Sequence, residues 1–224
     1  MGWLQISRYR RHCKIFAGVW LTLLLAGCTS LKQCSYEGLR RDQWQQPDTV
    51  MQSLQLSQGA VVADLGSGSG YFTLRLARAV GPTGKVYAAD IDSSINDALR
   101  ERAHKHQLNN IEVILSAPDD PRLPGPVDLL FTSNTYHHID DRVAYFSALR
   151  KYLRPRGRLA VIDYDRRTWL ARLWGHYTPK DLIKREVEQA GYELQHDFDF
   201  LDRQSFLIFT PNASARSSST DLPK

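Results

Sequence analysis

Cysteine is scarce in this chain, with three in 224 residues. Cys13 and Cys28 fall in the N-terminal segment and Cys34 stands alone beyond them. No pair is left for a disulfide, and no metal-ligand spacing occurs. Acidic residues are missing before residue 28, where Arg8, Arg10, Arg11 and Lys14 supply four of the net five positive charges. The rest of the chain is close to neutral, which excludes a broad basic face for nucleic acid. A long apolar run is lacking too. Ile15–Leu25 falls short of the roughly 20 residues that span a bilayer. Methionine occurs twice, and a start at Met51 would cut into a helix pattern. The dinucleotide fingerprint G-x-G-x-x-G is absent, because Tyr71 stands where its third glycine would be. What is present is an ordinary globular composition, 42% hydrophobic and 24% charged, enough for one domain with extensions.

The N-terminus reads as a targeting segment. A basic stretch precedes the apolar run, which ends Leu25-Ala26-Gly27-Cys28. This resembles a bacterial lipoprotein box, in which cleavage leaves Cys28 as a lipidated N-terminus. Residues 1–27 are then the signal peptide and 28–41 a tether. Thr29 follows the cysteine, so the resemblance implies the periplasmic side of the outer membrane. An uncleaved anchor, or a misread start that leaves the protein in the cytoplasm, is the alternative.

The domain is organised around Val61-Val62-Ala63-Asp64-Leu65-Gly66-Ser67-Gly68-Ser69-Gly70-Tyr71. An apolar, β-branched run leads in and an amphipathic helix pattern over Tyr71–Val80 leads out. The reading is a buried strand, a tight glycine turn and a helix start. Such a turn lets the backbone approach a ligand closely, and the helix N-terminus offers free N–H groups to a nucleotide-like guest. A second strand, Lys85–Ala89, ends at Asp90. A carboxylate there can accept both hydroxyls of a ribose. Capping the next helix is its plain alternative, and Asp92 is a reserve candidate for the ribose.

The D-x-G-x-G-x-G pattern of Asp64, Gly66, Gly68 and Gly70 resembles the first motif of the class I S-adenosylmethionine (SAM)-dependent methyltransferases. The resemblance extends over about residues 42–210. It implies a Rossmann-like α/β fold: a seven-stranded, mostly parallel sheet with a terminal antiparallel hairpin and helices on both faces. It also implies SAM as cofactor. Asp64, Gly66, Ser67, Gly68 and Gly70 would line the cofactor pocket, Ile91 would face the adenine, and Asp119, with Asp120 beside it, would accept from the adenine amino group. Asn134 would sit at the cofactor's reactive end. Tyr136, His137 and His138, on the loop after the fourth strand, would be the catalytic, substrate-side candidates. A His-His-x-Asp metal site at His137, His138 and Asp140 is the lesser alternative, and the sequence suggests no further ligand for it.

The remaining pattern gives a helix over about Asp42–Leu56 interrupted at Pro47, one over Ser94–Gln107, and strands Ile111–Leu115 and Val127–Thr132. A helix Arg142–Leu153 then stops at Arg154-Pro155-Arg156-Gly157 before a strand Arg158–Asp163. Asp163, at that strand's end, could reach a substrate, or could be an acid with no part in the site. Tyr164–Thr178, rich in Arg and Trp, reads as an insert lidding the acceptor site, with packing on the sheet or contact with the membrane surface as the alternatives. A helix capped by Thr178-Pro179 runs to Ala190. Strands Tyr192–Phe198 and Ser205–Phe209 and a tail over 211–224 complete the chain. The expected function is methyl transfer from SAM to a small-molecule acceptor, with the membrane as partner through Cys28. A membrane-tethered, non-catalytic binding module is the second reading. It is prompted by the conflict between a cytosolic cofactor and an exported protein.

Overall fold

The computed structural model describes residues 41–165 and 177–212. The signal peptide, Cys28, nearly all of the tether, most of the Tyr164–Thr178 insert and most of the tail lie outside the described residues. Among those described, no helix is long and apolar enough to cross a membrane.

Seven strands form one sheet in the order β3-β2-β1-β4-β5-β7-β6. They are β1 Val61–Leu65, β2 Lys85–Asp90, β3 Ile111–Leu115, β4 Val127–Ser133, β5 Leu153–Tyr164, β6 Tyr192–Phe198 and β7 Gln204–Pro211. The first five run parallel, and β7 lies antiparallel between β5 and β6. The carboxyl ends of β1, β2, β4 and β5 therefore share one rim, and the order reverses between β1 and β4. An open α/β sheet binds its ligands at such a place.

The helices follow from apolar periodicity. They are α1 Arg41–Gln45, α2 Pro47–Leu54, α3 Thr73–Val80, α4 Ser93–Lys105, α5 Arg142–Leu149 and α6 Lys180–Gln189. Val50 and Leu54 of α2 and Leu76 and Val80 of α3 close one face of the sheet against Val62, Val86, Phe131 and Ile208. Phe146 and Leu149 of α5 and Ile183 and Val187 of α6 close the other against Leu65, Leu130, Val161 and Leu207. Each such fully buried side chain contributes about 1.5–3 kcal/mol of apolar burial. A smaller cluster of Leu74, Ala88 and Leu99 joins α3 to α4.

The break expected at Pro47 is real. Gln46 takes a left-handed φ of 42°, and the proline occupies the first turn of α2. Most other boundaries shift by one or two residues, and three differences have a clear physical reason. The fourth-strand crossover helix stops at Leu149 and tightens into a 3₁₀ turn, Arg150–Tyr152. β5 starts at Leu153 rather than Arg158. Its first residue pairs with Val127 and its register resumes at Leu129–Arg158. Residues 154–157 thus bulge opposite the single residue Asp128, so Pro155 removes no ladder hydrogen bond. Asp128 secures the bulge by accepting from the Val61 N–H at 2.8 Å and from Arg154 at 2.7 Å. Thr178 does not cap α6 with its side chain: Pro179 occupies the cap, and the Thr178 N–H donates to the Tyr164 carbonyl at 3.0 Å.

Candidate functional site

The turn after β1 brings the cofactor candidates together. The Gly66 and Ser67 N–H groups both donate to the Ala89 carbonyl, at 2.8 and 3.2 Å, which ties the turn to the end of β2. The Gly68 N–H donates to Asp90 Oδ2 at 2.9 Å, and the Asp92 N–H to Asp90 Oδ1 at 3.0 Å. Both oxygens of Asp90 are thereby fixed at the mouth of the turn. Gly66 sits at φ 71°, and a Cβ built there would collide with the Thr135 side chain from the loop after β4. This glycine lets two neighbouring strand ends meet. A Cβ on Gly70 would strike Leu99 of α4, so that glycine serves helix packing rather than the pocket surface.

Asp64 is 3% exposed and accepts from Thr73 Oγ1 at 2.6 Å. Burial pushes its pKa up from 3.8 to about 7, with the Asp90 charge adding to the rise and Thr73 and the Arg41 guanidinium opposing it. The Arg41 guanidinium lies 3.7 Å from the centroid of the Tyr71 ring, and its own pKa is lowered by burial. Tyr71 donates to Asp42 at 2.6 Å, so α1 is latched over the start of α3. Among the described residues, the buried Ser67 and Ser69 hydroxyls have no hydrogen-bond partner. Ile91 is 65% exposed, an apolar side chain left open beside Asp90.

Among the acids, Asp92 is not a ribose ligand. Its side chain accepts from the Ser94 and Ile95 N–H groups and caps α4, the role weighed above for Asp90. Asp119 is exposed. Asp120 is committed to Lys151 Nζ, the Tyr152 hydroxyl and the Arg122 N–H, each at 2.7 Å. Despite some burial, these partners hold its pKa down at about 2.

The loop after β4 divides its candidates. Asn134 adopts φ 59°, its N–H donates to the Ile162 carbonyl, and its Oδ1 accepts from Gln204 Nε2 at 2.5 Å. It leans toward β5 and β7 rather than toward the glycine turn. Tyr136 is corrected outright: it is fully buried, stacks on Phe146 and donates to Glu186 Oε2 at 2.8 Å. It fastens the loop to α5 and α6 and presents no group to a substrate. His138 is exposed, with its ring 4.0 Å from that of His137. His137 Nδ1 lies 2.7 Å from Asp163 Oδ1, with side-chain exposures of 6% and 0%. In the sequence Asp163 is an undecided acid. The β4–β5 register, Ser133 opposite Ile162, is the signal that joins it to the histidine. Among the described residues, no group of three His, Cys, Asp or Glu could hold a metal.

The arrangement brings together a glycine turn held to Asp90, a buried acid at the end of β1 and a His–Asp pair on the loop after β4. A model described as "Methyltransferase domain" matches residues 56–197, more than half of the chain. Among curated proteins, the ubiquinone/menaquinone biosynthesis C-methyltransferase of Hahella chejuensis is 32% identical over 114 residues, covering 49% of this chain and 45% of that protein. Its Escherichia coli counterpart is 30% identical over 113 residues, covering 49% and 44%. The chain thus spans less than half of these relatives. Among solved structures, a SAM-dependent methyltransferase from Aquifex aeolicus aligns with TM-score 0.71 at 23% identity, over 82% of this chain and 96% of that one. The magnesium protoporphyrin IX methyltransferase of Synechocystis with bound SAM aligns with TM-score 0.59 at 19% identity, over 77% and 81%.

Proposed function

The chain belongs to the methyltransferase domain family, and on that premise we propose that it transfers a methyl group from SAM to a small-molecule acceptor above the carboxyl ends of β4 and β5. The observation that carries this is the convergence of Asp64, Asp90 and the glycine turn on one rim, with Gly68 bound to Asp90. The residues present fit the adenosyl group and the methionine end. The buried Ser67 and Ser69 hydroxyls await a partner, Ile91 is open to an aromatic face, and Asp64 is a buried acid suited to an ammonium. When bound, SAM supplies a methyl group already activated on a sulfonium. The chain's own part is to hold, orient and desolvate. Asp90 would take the ribose hydroxyls, Asp119 the adenine amino group and Asp64 the amino group of the methionine end.

With these acids and glycines in place, a purely non-catalytic module has no observation in its favour. The name printed for the relatives, ubiquinone/menaquinone biosynthesis C-methyltransferase, makes a ubiquinone or menaquinone precursor the first acceptor to test. The Leu25–Cys28 box supports a lipid anchor at Cys28, on the periplasmic side of the outer membrane. Palmitate labelling that disappears in Cys28→Ala tests that anchor. Label that persists in Cys28→Ala would refute Cys28 as the anchor, and a wild type that takes up no label would return the protein to the cytoplasmic alternative. For the cofactor, calorimetric titration of the full-length chain with SAM and with NAD is decisive. SAM should bind and NAD should not, and D90A should weaken SAM by at least about a hundredfold through loss of two charge-assisted bonds. Equal SAM binding by wild type and D90A would refute the assignment.

A further inference from the structure

We propose that the chain carries a second ligand site, for the phosphate group of a small phosphate ester, at the pole of the sheet opposite the cofactor rim. It lies between the loop that joins α2 to β1 and the arginines of the β5 bulge, and it uses none of the residues assigned to SAM.

The geometry begins with the bulge. Arg154, Arg156 and Arg158 alternate along the start of β5, and the extra residues opposite Asp128 re-aim their side chains. A Cβ on Gly157 would fall 2.8 Å from the Leu153 side chain and 3.0 Å from the Arg154 carbonyl, so the glycine lets the bulge close tightly. Arg156 and Arg158 line a cavity of about 300 Å³, together with Asp128 and the loop over residues 55–60. That volume is at the lower end of the range for small-molecule sites. The cavity opens at the amino end of β1. The five residues of that strand, about 16 Å, separate it from the glycine turn.

The charges in this cavity do not balance. Among the described residues, Arg156 is exposed and has no hydrogen bond or ion pair. Arg158 is half-buried and has one bond, from Nη2 to the Leu54 carbonyl at 2.5 Å, where α2 ends. The remaining donors of its guanidinium fork are unused. Burial lowers the Arg158 pKa, and no acid acts against it. Asp128 is no counter-ion for these two, because its Oδ2 already accepts from Arg154 and from the Val61 N–H. Three guanidiniums thus meet one carboxylate and the negative end of α2, roughly half a charge, so the cavity stays positive. A desolvated cation without a counter-charge costs the fold stability, and an anion would relieve that cost. Two planar forks match the paired oxygens of a phosphate better than they match a point charge. A bare phosphate would leave much of the cavity empty. Ser57, which also lines it, offers a polar neighbour to the organic part of an ester.

The first probe is inorganic phosphate, followed by ³¹P NMR line broadening on the full-length protein with SAM in excess. Wild type should bind it with a Kd of about 1 mM or tighter. Arg156→Gln should weaken that binding at least about tenfold, with the thermal midpoint and the SAM affinity unchanged. Arg158→Lys keeps the charge but loses the fork, and should weaken it too. If R158K does not fold, R156Q still decides. Glycerol 3-phosphate and dihexanoyl phosphatidylglycerol then separate the two sources of such a group. Tighter binding of the first supports a free phosphate ester, and tighter binding of the second a lipid headgroup. A Kd for phosphate above about 10 mM, or equal binding by wild type and R156Q, would overturn the proposal. Succinate bound as tightly as phosphate would overturn it as well. Equal affinity for all three phosphates would mean an adventitious ion only, and the site would be withdrawn.

Discussion

Replacing Asp64 by asparagine should make the unliganded protein more stable while destroying its cofactor site. The carboxyl is buried, and its pKa is raised from 3.8 to about 7, first by burial. At about 1.4 kcal/mol per tenfold change in proton affinity, holding the ionised form in the fold costs about 4 kcal/mol. For an acid raised in the folded state, the unfolded chain releases its proton first. The cost is therefore absent below about pH 3.8 and grows until the pH passes about 7. The amide of D64N keeps the shape and can still accept from Thr73 Oγ1, yet never ionises. The advantage of D64N should be about 4 kcal/mol at pH 8 and shrink to about 0.6 kcal/mol at pH 4. Urea unfolding followed by tryptophan fluorescence at both pH values measures it. A variant no more stable than wild type at pH 8, or an advantage that does not change with pH, would refute the reasoning.

The same ionisation governs binding. If Asp64 must be charged to hold an ammonium, SAM affinity should weaken roughly tenfold from pH 8 to pH 6, as calorimetry at the two values would show. Gly66→Ala should destabilise the fold by about 2–3 kcal/mol, through strain at positive φ and collision with Thr135. Thr135→Ala removes Oγ1 and Cγ2 but keeps the Cβ, 2.8 Å from the added methyl, so in thermal unfolding the double variant should recover only part of the collision cost. Tyr136→Phe should lower stability by about 1 kcal/mol, the loss of one hydrogen bond, because Arg142 still holds Glu186. SAM affinity and the rate of methyl transfer should both be unchanged, as expected of a residue that fastens the loop to α5 and α6 and touches no ligand.

The strands and the glycine turn between the first two were legible because both obey local rules. Apolar runs ending in Asp64 and Asp90, separated by glycines and one amphipathic helix, leave little freedom for where the acids fall. Tyr192–Phe198 was legible to the residue. The rest depended on partners distant in sequence. Tyr136 looks like a site residue beside two histidines until Glu186, fifty positions later, takes its hydroxyl. Arg154-Pro155-Arg156-Gly157 has the composition of a turn, and only the lateral pairing with β4 shows it to be a bulge within a strand. The His137–Asp163 pair required knowing that β4 and β5 are neighbours and in which register. In the sequence the cap is weighed for Asp90, with Asp92 in reserve for the ribose, and the backbone course after β2 gives the cap to Asp92.

The strand order has an evolutionary corollary. Every residue assigned to the adenosyl pocket between Asp64 and Asp119 comes from the first part of the fold, whereas His137, Asp163, Gln204 and Ser205 come from the part that follows Val127. Mutations accumulating in the later segment can re-specify which molecule is methylated while the donor pocket stays under its own, separate selection.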